Sequence, residues 1–250
     1  MHLAGKHAVV TGGGTGIGLA IARGLAEDGA TVTITGRRIE VLEEVATPGL
    51  HPLAMDVTNE DSVVSGFAEA TAAHGPVQIV VANAGLAEGR TLAKMDMAFW
   101  RKILATNLDG AFLTLREAMK TMSTTEWGRV ITMASIAGVR GLRGAPAYTA
   151  SKHGLIGLTR GLSEDYIAAP YTFNAICPGY VETPIVTRNS ADIAAKTGMS
   201  EDEARQLLVK SNRHRTMLEV DEIAGAARWL CSDAARSVNG QCIEIAGGQM

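Results

Sequence analysis

The chain has few cysteines, no long apolar run and little excess charge, and each shortage excludes a class of protein. Its three cysteines lie far apart and form no CxxC motif, so we expect neither a disulfide scaffold nor a metal site. No segment reaches the roughly 18 consecutive apolar residues that a membrane-spanning helix needs. The formal net charge of -3 comes from 23 basic and 26 acidic residues without long runs of one sign. We therefore predict a cytoplasmic protein that binds neither nucleic acid nor membrane.

Short apolar runs rich in valine and isoleucine alternate with segments of helical periodicity. In the first such segment Ile17, Ile21 and Leu25 recur every four residues, as on the buried face of a helix. This alternation favours an α/β fold: a doubly wound parallel sheet of seven strands with helices on both faces, a Rossmann-like three-layer sandwich. The predicted strands are residues 7–10, 31–35, 51–55, 77–82, 129–134, 172–177 and 242–246.

Neither a repeat nor a low-complexity linker interrupts this pattern, so we expect a single domain over residues 1–250. The least regular stretch is 182–199, which follows the sixth predicted strand. Long irregular connections in compact domains are often functional. We therefore predict a substrate lid at about 182–215, with an ordinary surface insertion as the alternative.

A glycine-rich stretch, VVTGGGTGIG, joins the first strand to the first helix. Gly12, Gly16 and Gly18 allow a tight turn and let a ligand approach the backbone closely. The helix that follows offers unpaired amides and the positive end of its dipole, which suits the pyrophosphate of a dinucleotide. A glycine loop without a ligand is the alternative, and the position between a strand and an amphipathic helix argues against it.

The end of the second strand bears on the choice of dinucleotide. An acidic residue there would bind the ribose hydroxyl of NAD, but the sequence has Arg37 and Arg38, whose guanidinium groups suit the additional phosphate of NADP. We therefore favour NADP(H), with NAD(H) possible. Asp56, after the third strand, is placed to meet the adenine. The sequence ANAG at 82–85 ends the fourth strand with small residues, at a place where the cofactor must pass.

Four polar residues stand out against their local pattern. Asn107 falls on the apolar face of a helix, where a buried amide needs partners. Ser135 ends the fifth strand at the carboxyl edge, where parallel sheets bind ligands. Tyr148 and Lys152 are one helical turn apart. A nearby positive charge favours ionisation of a phenol, so this pair would be a workable general base for an alcohol proton.

Taken together, these motifs resemble the short-chain dehydrogenase/reductase family, in its single-domain branch, over nearly the whole chain. The shared features are TGGGTGIG, NAG, Asn107, Ser135, the Tyr148/Lys152 pair and PGYVET at 178–183. The motifs are similar to those of 3-oxoacyl reductases and of 3-hydroxybutyrate-type dehydrogenases about equally. The resemblance implies an NAD(P)-dependent oxidoreductase that interconverts a secondary alcohol and a ketone by hydride transfer, without metal.

The resemblance also implies a role for each residue. Ser135 would hydrogen-bond the substrate oxygen and Tyr148 would be the acid/base. Lys152 would hold the nicotinamide ribose and lower the pKa of the tyrosine, and Asn107 would anchor a proton-relay water. The implied cofactor contacts are Gly12, Thr15, Gly16, Ile17, Gly18, Arg37, Arg38, Asp56, Val57, Asn83, Ala84, Gly85, Tyr148, Lys152, Pro178, Gly179, Val181 and Thr183.

The expected partners are a small alcohol or ketone and further copies of the chain. The resemblance suggests a homotetramer formed through the helices that contain Asn107 and Tyr148. The main alternative is a non-catalytic dinucleotide-binding or regulatory protein, since a fold alone does not establish activity. The glycine spacing and the Tyr148/Lys152 pair disfavour a methyltransferase, and the chain has no room for the substrate domain of a nucleotide-sugar epimerase.

Overall fold

Seven parallel strands form one sheet in the computed structural model, which describes residues 2–249. The spatial order is β3-β2-β1-β4-β5-β6-β7. This confirms the predicted fold class, and each predicted strand is present to within about two residues. The strands are β1 (His7–Thr11), β2 (Thr31–Gly36), β3 (Leu50–Ala54), β4 (Val77–Ala82), β5 (Gly128–Met133), β6 (Tyr171–Pro178) and β7 (Cys242–Ile245).

Helices connect successive strands as crossovers, and a π-helical turn, Ala105–Asp109, joins the fourth helix to the fifth. Short 3-10 turns lie at Leu92–Lys94, Ile136–Gly138 and Asp233–Ala235. The helices are α1 (Gly16–Glu27), α2 (Ile39–Glu44), α3 (Glu60–His74), α4 (Met97–Leu104), α5 (Gly110–Met122), α6 (Pro146–Asp165), α7 (Pro184–Thr197), α8 (Glu201–Val209) and α9 (Val220–Leu230).

Two apolar cores lie on opposite faces of the sheet, because successive side chains of a strand point to opposite sides. Val10 of β1 packs in the core that contains Ile21 of α1 and Ile223 of α9. Its neighbour Val9 packs in the other core, with Phe67 of α3 and Leu115 of α5. Burial on both faces explains why the strands read as continuous apolar runs rather than as alternating ones.

The prediction of an irregular connection over 182–199 was wrong, since most of it is the helix α7. Pro184 occupies the first turn, where a missing amide hydrogen costs nothing, and Gly198 ends the helix with a left-handed φ of 77°. Val186 and Ser190, one turn apart, are buried, and the Ser190 hydroxyl donates to the Val186 carbonyl at 2.9 Å. The few apolar residues on this helix made its periodicity hard to detect.

The connections out of β1, β4, β5 and β6 all leave from the carboxyl edge of the sheet. β1 and β4 are adjacent although they are not consecutive, so the chain order reverses between them. Ligands of open α/β sheets bind in the crevice at such a reversal. Within residues 2–249, none of the helices combines the length and the apolar composition needed to cross a membrane.

Candidate active site

A cavity of about 420 Å³ opens at the carboxyl edge of the sheet, between the loops that follow β1, β4, β5 and β6 and the helix α7. Most residues that the sequence singles out line it. They are Gly12, Thr15, Gly16, Ile17, Gly18, Asn83, Ala84, Gly85, Ser135, Tyr148, Lys152, Pro178, Gly179, Val181 and Thr183. Arg37, Arg38, Asp56, Val57 and Asn107 lie outside the cavity lining.

The loop after β1 requires glycine at particular positions. Gly12 and Gly16 have φ values of 64° and 52°, in the left-handed region that favours glycine. A Cβ on Gly18 would lie 2.4 Å from the Gly12 carbonyl oxygen and 2.4 Å from Asn83 Nδ2. Asn83 Nδ2 also donates to the Thr11 carbonyl at 2.8 Å. The side chain from the end of β4 therefore fixes the turn that leaves β1.

The first turn of α1 suits an anion. Its N-cap residue, Thr15, makes no side-chain hydrogen bond to the helix, and the first turn carries no acidic residue. The amides at this end therefore keep their donor capacity and the positive end of the helix dipole lies at the cavity. Together with the glycine loop, this arrangement fits the pyrophosphate of a dinucleotide.

Arg37 and Arg38, predicted for the adenosine end, follow β2, one strand from β1 along the same edge, and Asp56 and Val57 follow β3, two strands from β1. The Met55 amide donates to the Gly36 carbonyl at 2.9 Å, which brings the segments after β2 and β3 together. Arg37 and Arg38 are exposed, and their side chains make no hydrogen bond or ion pair within the described residues. The Asp56 carboxylate accepts hydrogen bonds from the amide and the hydroxyl of Thr58, at 2.9 and 2.8 Å. Val57 is buried in the core beside α5.

Ser135, Tyr148 and Lys152 meet in the cavity. Ser135 follows β5 and its hydroxyl hydrogen-bonds the phenol of Tyr148. Tyr148 and Lys152 occupy successive turns of α6, with Lys152 Nζ 5.8 Å from the centre of the tyrosine ring. Lys152 Nζ donates to the Met133 carbonyl, at the end of β5, at 2.7 Å. The structure thus brings together three of the four residues predicted to carry chemistry.

Burial dominates the electrostatics of this group. It raises the pKa of Tyr148, and the hydrogen bond from Ser135 acts in the opposite direction. Burial also lowers the pKa of Lys152 to about 8. In the protein alone, therefore, the phenol is not acidified in the way that the family resemblance implies. A positive charge beside the phenol, such as an oxidised nicotinamide, would be needed to favour the phenolate.

Asn107 fixes the loop after β4 to α6 from within the π-helical turn. Its Oδ1 accepts from the Leu86 amide at 2.7 Å, and its Nδ2 donates to the Leu86 carbonyl at 2.9 Å. Nδ2 also donates to Ser151 Oγ, whose hydroxyl in turn donates to the Tyr148 carbonyl. The amide donors of Asn107 are thus both used by protein groups. Its association with a relay water stays a prediction.

The cavity also contains residues that the sequence did not single out. Tyr180 lies inside the PGYVET motif, so its position next to Gly179 was a usable signal. The remaining additions are mainly aliphatic and come from loops and α7, where no periodic pattern marks them. They include Leu86, Leu142, Ile185 and Ile193, with Lys196 as a cationic side chain.

No group of three His, Cys, Asp or Glu side chains within residues 2–249 is arranged to hold a metal ion. The fold and the glycine loop define the class: a dinucleotide-binding α/β protein with a tyrosine and a lysine beside the ligand crevice.

Comparison with known proteins identifies the family. The protein-family model described as "short chain dehydrogenase" matches residues 6–194 of this chain. D-beta-hydroxybutyrate dehydrogenase of Rhizobium meliloti (strain 1021) is 34% identical over 254 residues, which cover 97% of this chain and 98% of that protein. Cis-4-hydroxycyclohexanecarboxylate dehydrogenase of Sinomonas cyclohexanicum is 38% identical over 248 residues, 96% of this chain and 95% of that protein.

A solved structure agrees with these relatives. Actinorhodin polyketide ketoreductase, crystallised as a variant with NADPH, superposes with a TM-score of 0.94 at 29% identity, covering 99% of this chain and 98% of that one. The chain belongs to the short-chain dehydrogenase family. It is an oxidoreductase that acts on alcohol and keto groups and uses a nicotinamide dinucleotide, as the sequence predicted.

The low pKa of Lys152 generates a prediction about stability. The folded-state pKa is about 8 against 10.5 for the free side chain. Between these values the unfolded chain holds a proton that the folded chain has lost, so the contribution of Lys152 to stability rises with pH. We expect the unfolding free energy of the wild type to increase, relative to that of Lys152→Met, as the pH rises from 8 to 10. Denaturant titrations of both proteins measure this difference, and parallel pH profiles would show that the ammonium group is not desolvated.

Proposed function

We propose that Tyr148 is the general acid/base of the alcohol–ketone interconversion, assisted by Ser135 and Lys152. The observation that carries this proposal is the meeting of the three side chains in the same cavity as the glycine loop and the free first turn of α1. The bound nicotinamide supplies or accepts the hydride. The protein's own groups supply proton transfer and orientation.

In alcohol oxidation, Tyr148 Oη accepts the proton of the substrate hydroxyl, and in ketone reduction it returns that proton to the carbonyl oxygen. Ser135 Oγ, already hydrogen-bonded to the phenol, is placed to share the same substrate oxygen. Below a pH of about 8 Lys152 carries a positive charge, and its Nζ, 5.8 Å from the centre of the tyrosine ring, would add to the effect of an oxidised nicotinamide in favouring the phenolate. The aliphatic lining of the cavity favours a small substrate with an apolar body.

Replacing the phenol tests this assignment directly. In Tyr148→Phe the ring remains and the proton-transferring oxygen is lost, so we expect turnover to fall by about 10²-fold or more. Affinity for the dinucleotide should stay close to that of the wild type. Nicotinamide absorbance with a panel of secondary alcohols and ketones gives the rates, and a binding titration gives the affinity. Unchanged turnover would remove Tyr148 from the mechanism, whereas dinucleotide binding without turnover of any panel member by the wild type would favour the non-catalytic alternative.

We also propose a preference for NADP(H) over NAD(H). Arg37 and Arg38 support it, because they follow β2 at the ligand edge and no protein carboxylate engages them within residues 2–249. The NADPH in the related ketoreductase structure is consistent with the same choice.

The two arginines should affect one cofactor more than the other. In Arg37→Ala/Arg38→Ala we expect NADPH affinity to fall by about tenfold or more, because a charge-assisted hydrogen bond contributes about 1.5–3 kcal/mol. NADH affinity should change by less than about threefold. Fluorescence titration of both dinucleotides measures the two losses. Equal losses would contradict the NADP(H) preference.

We further propose one domain with a lid at about 182–215, formed around α7 and α8, in a cytoplasmic homotetramer. Ile185 and Ile193 of α7 line the cavity, which supports the lid, and the three free cysteines suit a reducing compartment.

The tetramer is supported by exposed apolar side chains: Phe112 of α5 and Val64 of α3 lie on helices that pack together. Sedimentation should give four times the chain mass, and a monomer at micromolar concentration would contradict this expectation.

A further inference from the structure

A second buried asparagine holds the loop that carries the PGYVET motif. Asn212 lies between α8 and α9 and is only 1% exposed. Its Oδ1 accepts from the Tyr180 amide at 2.8 Å, and its Nδ2 donates to the Tyr180 carbonyl at 2.9 Å and to the Thr216 carbonyl at 2.7 Å. One side chain thus satisfies both backbone groups of a residue that lines the cavity.

The contact between Asn212 and the loop requires the neighbouring glycine, Gly179. A Cβ on Gly179 would lie 2.3 Å from Asn212 Oδ1, so the asparagine can approach only because that position is glycine. The loop is held further by hydrogen bonds from the Leu218 amide to the Tyr180 carbonyl and from the Glu182 amide to the Leu218 carbonyl, at 3.1 and 2.8 Å. Asn212 itself lies outside the cavity lining, so it acts on the site only through this loop.

We propose that Asn212 is a positioning residue for the nicotinamide half of the bound dinucleotide. This inference rests on the proposed cofactor site, in which the glycine loop holds the pyrophosphate and, as the family resemblance implies, Val181 and Thr183 orient the carboxamide of the nicotinamide. Asn212 fixes the peptide that directly precedes Val181, whereas the side-chain hydrogen bonds that it makes within residues 2–249 go to Tyr180 and Thr216 and not to the glycine loop. Loss of the Asn212 side chain should therefore weaken binding of the nicotinamide half of the cofactor and leave binding of the rest unchanged.

The sharpest variant is Asn212→Asp, which keeps the shape of the side chain. The oxygen that replaces Nδ2 would face the carbonyls of Tyr180 and Thr216 without a hydrogen to share, so the loop must shift. Asn212→Ser removes the three hydrogen bonds of the amide without this repulsion and replaces the aspartate variant if that variant folds poorly.

Asn174→Asp is a matched control. Asn174 is also 1% exposed and its amide also joins the backbones of two residues, accepting from Gln241 N at 3.1 Å and donating to the Val238 carbonyl at 2.8 Å. It belongs to β6 and does not line the cavity. Both aspartate variants therefore lose a buried amide donor, but only Asn212 contacts the PGYVET loop.

The experiment compares whole dinucleotides with fragments that lack nicotinamide: NADPH with 2′-phospho-ADP-ribose, and NADH with ADP-ribose, by calorimetric titration. The dinucleotide to compare is the one that the wild type binds more tightly. For Asn212→Asp and Asn212→Ser we expect its Kd to rise by about tenfold, which corresponds to the loss of roughly one contact. The Kd of the matching fragment should rise by less than about twofold. Asn174→Asp should leave both values near those of the wild type.

Three results would overturn the inference, two of them by showing a purely structural role and one by removing the cofactor site. Equal weakening of dinucleotide and fragment in the Asn212 variants, or the same pattern in Asn174→Asp, would mean that Asn212 only stabilises the fold. Failure of the wild type to bind either dinucleotide or fragment would instead overturn the proposed cofactor site, and this inference with it.

Discussion

The hydrogen bond from Lys152 Nζ to the Met133 carbonyl joins α6 to the end of β5, and the geometry of the active site depends on it. Ser135 lies two residues beyond Met133, and Tyr148 lies one turn before Lys152. The bond therefore sets the distance between the serine and the phenol that it contacts.

The same bond keeps an ammonium group in a place that disfavours charge. Burial lowers the pKa of Lys152 to about 8 and raises that of Tyr148, so each group alone is shifted toward its neutral form. In the proposed mechanism a positively charged nicotinamide would change this balance for the tyrosine, because it would favour the phenolate while it remains oxidised. Tyr148 would then be a useful base only beside the oxidised cofactor, which would link proton transfer to the oxidation state of the nicotinamide.

Local sequence signals predicted the parts of the structure that local physics determines. Strands buried on both faces, such as β4 and β6, appear as unbroken apolar runs, and the one-turn spacing of Tyr148 and Lys152 follows from helical geometry alone. The helix α7 was missed because it buries few side chains, so its apolar periodicity is weak. Asn212 could not be recognised in advance. Its partner Tyr180 lies 32 residues away, and the pairing exists only after β6 and the α8–α9 segment have packed together.

Asn212 also belongs to a wider arrangement at the carboxyl edge. Loops that leave a parallel sheet lose the strand partners of their backbone groups, and buried backbone groups without partners are costly. Asparagine offers both a donor and an acceptor, as a peptide unit does, and so can replace a missing strand. Asn83 does this for the Thr11 and Gly12 carbonyls, and Asn107 and Asn212 each bind both backbone groups of a single loop residue. Because these loops carry the glycine turn, the NAG segment and the PGYVET motif, side-chain amides hold the walls of the cavity in place, and backbone pairing with Leu218 adds to this at the PGYVET loop.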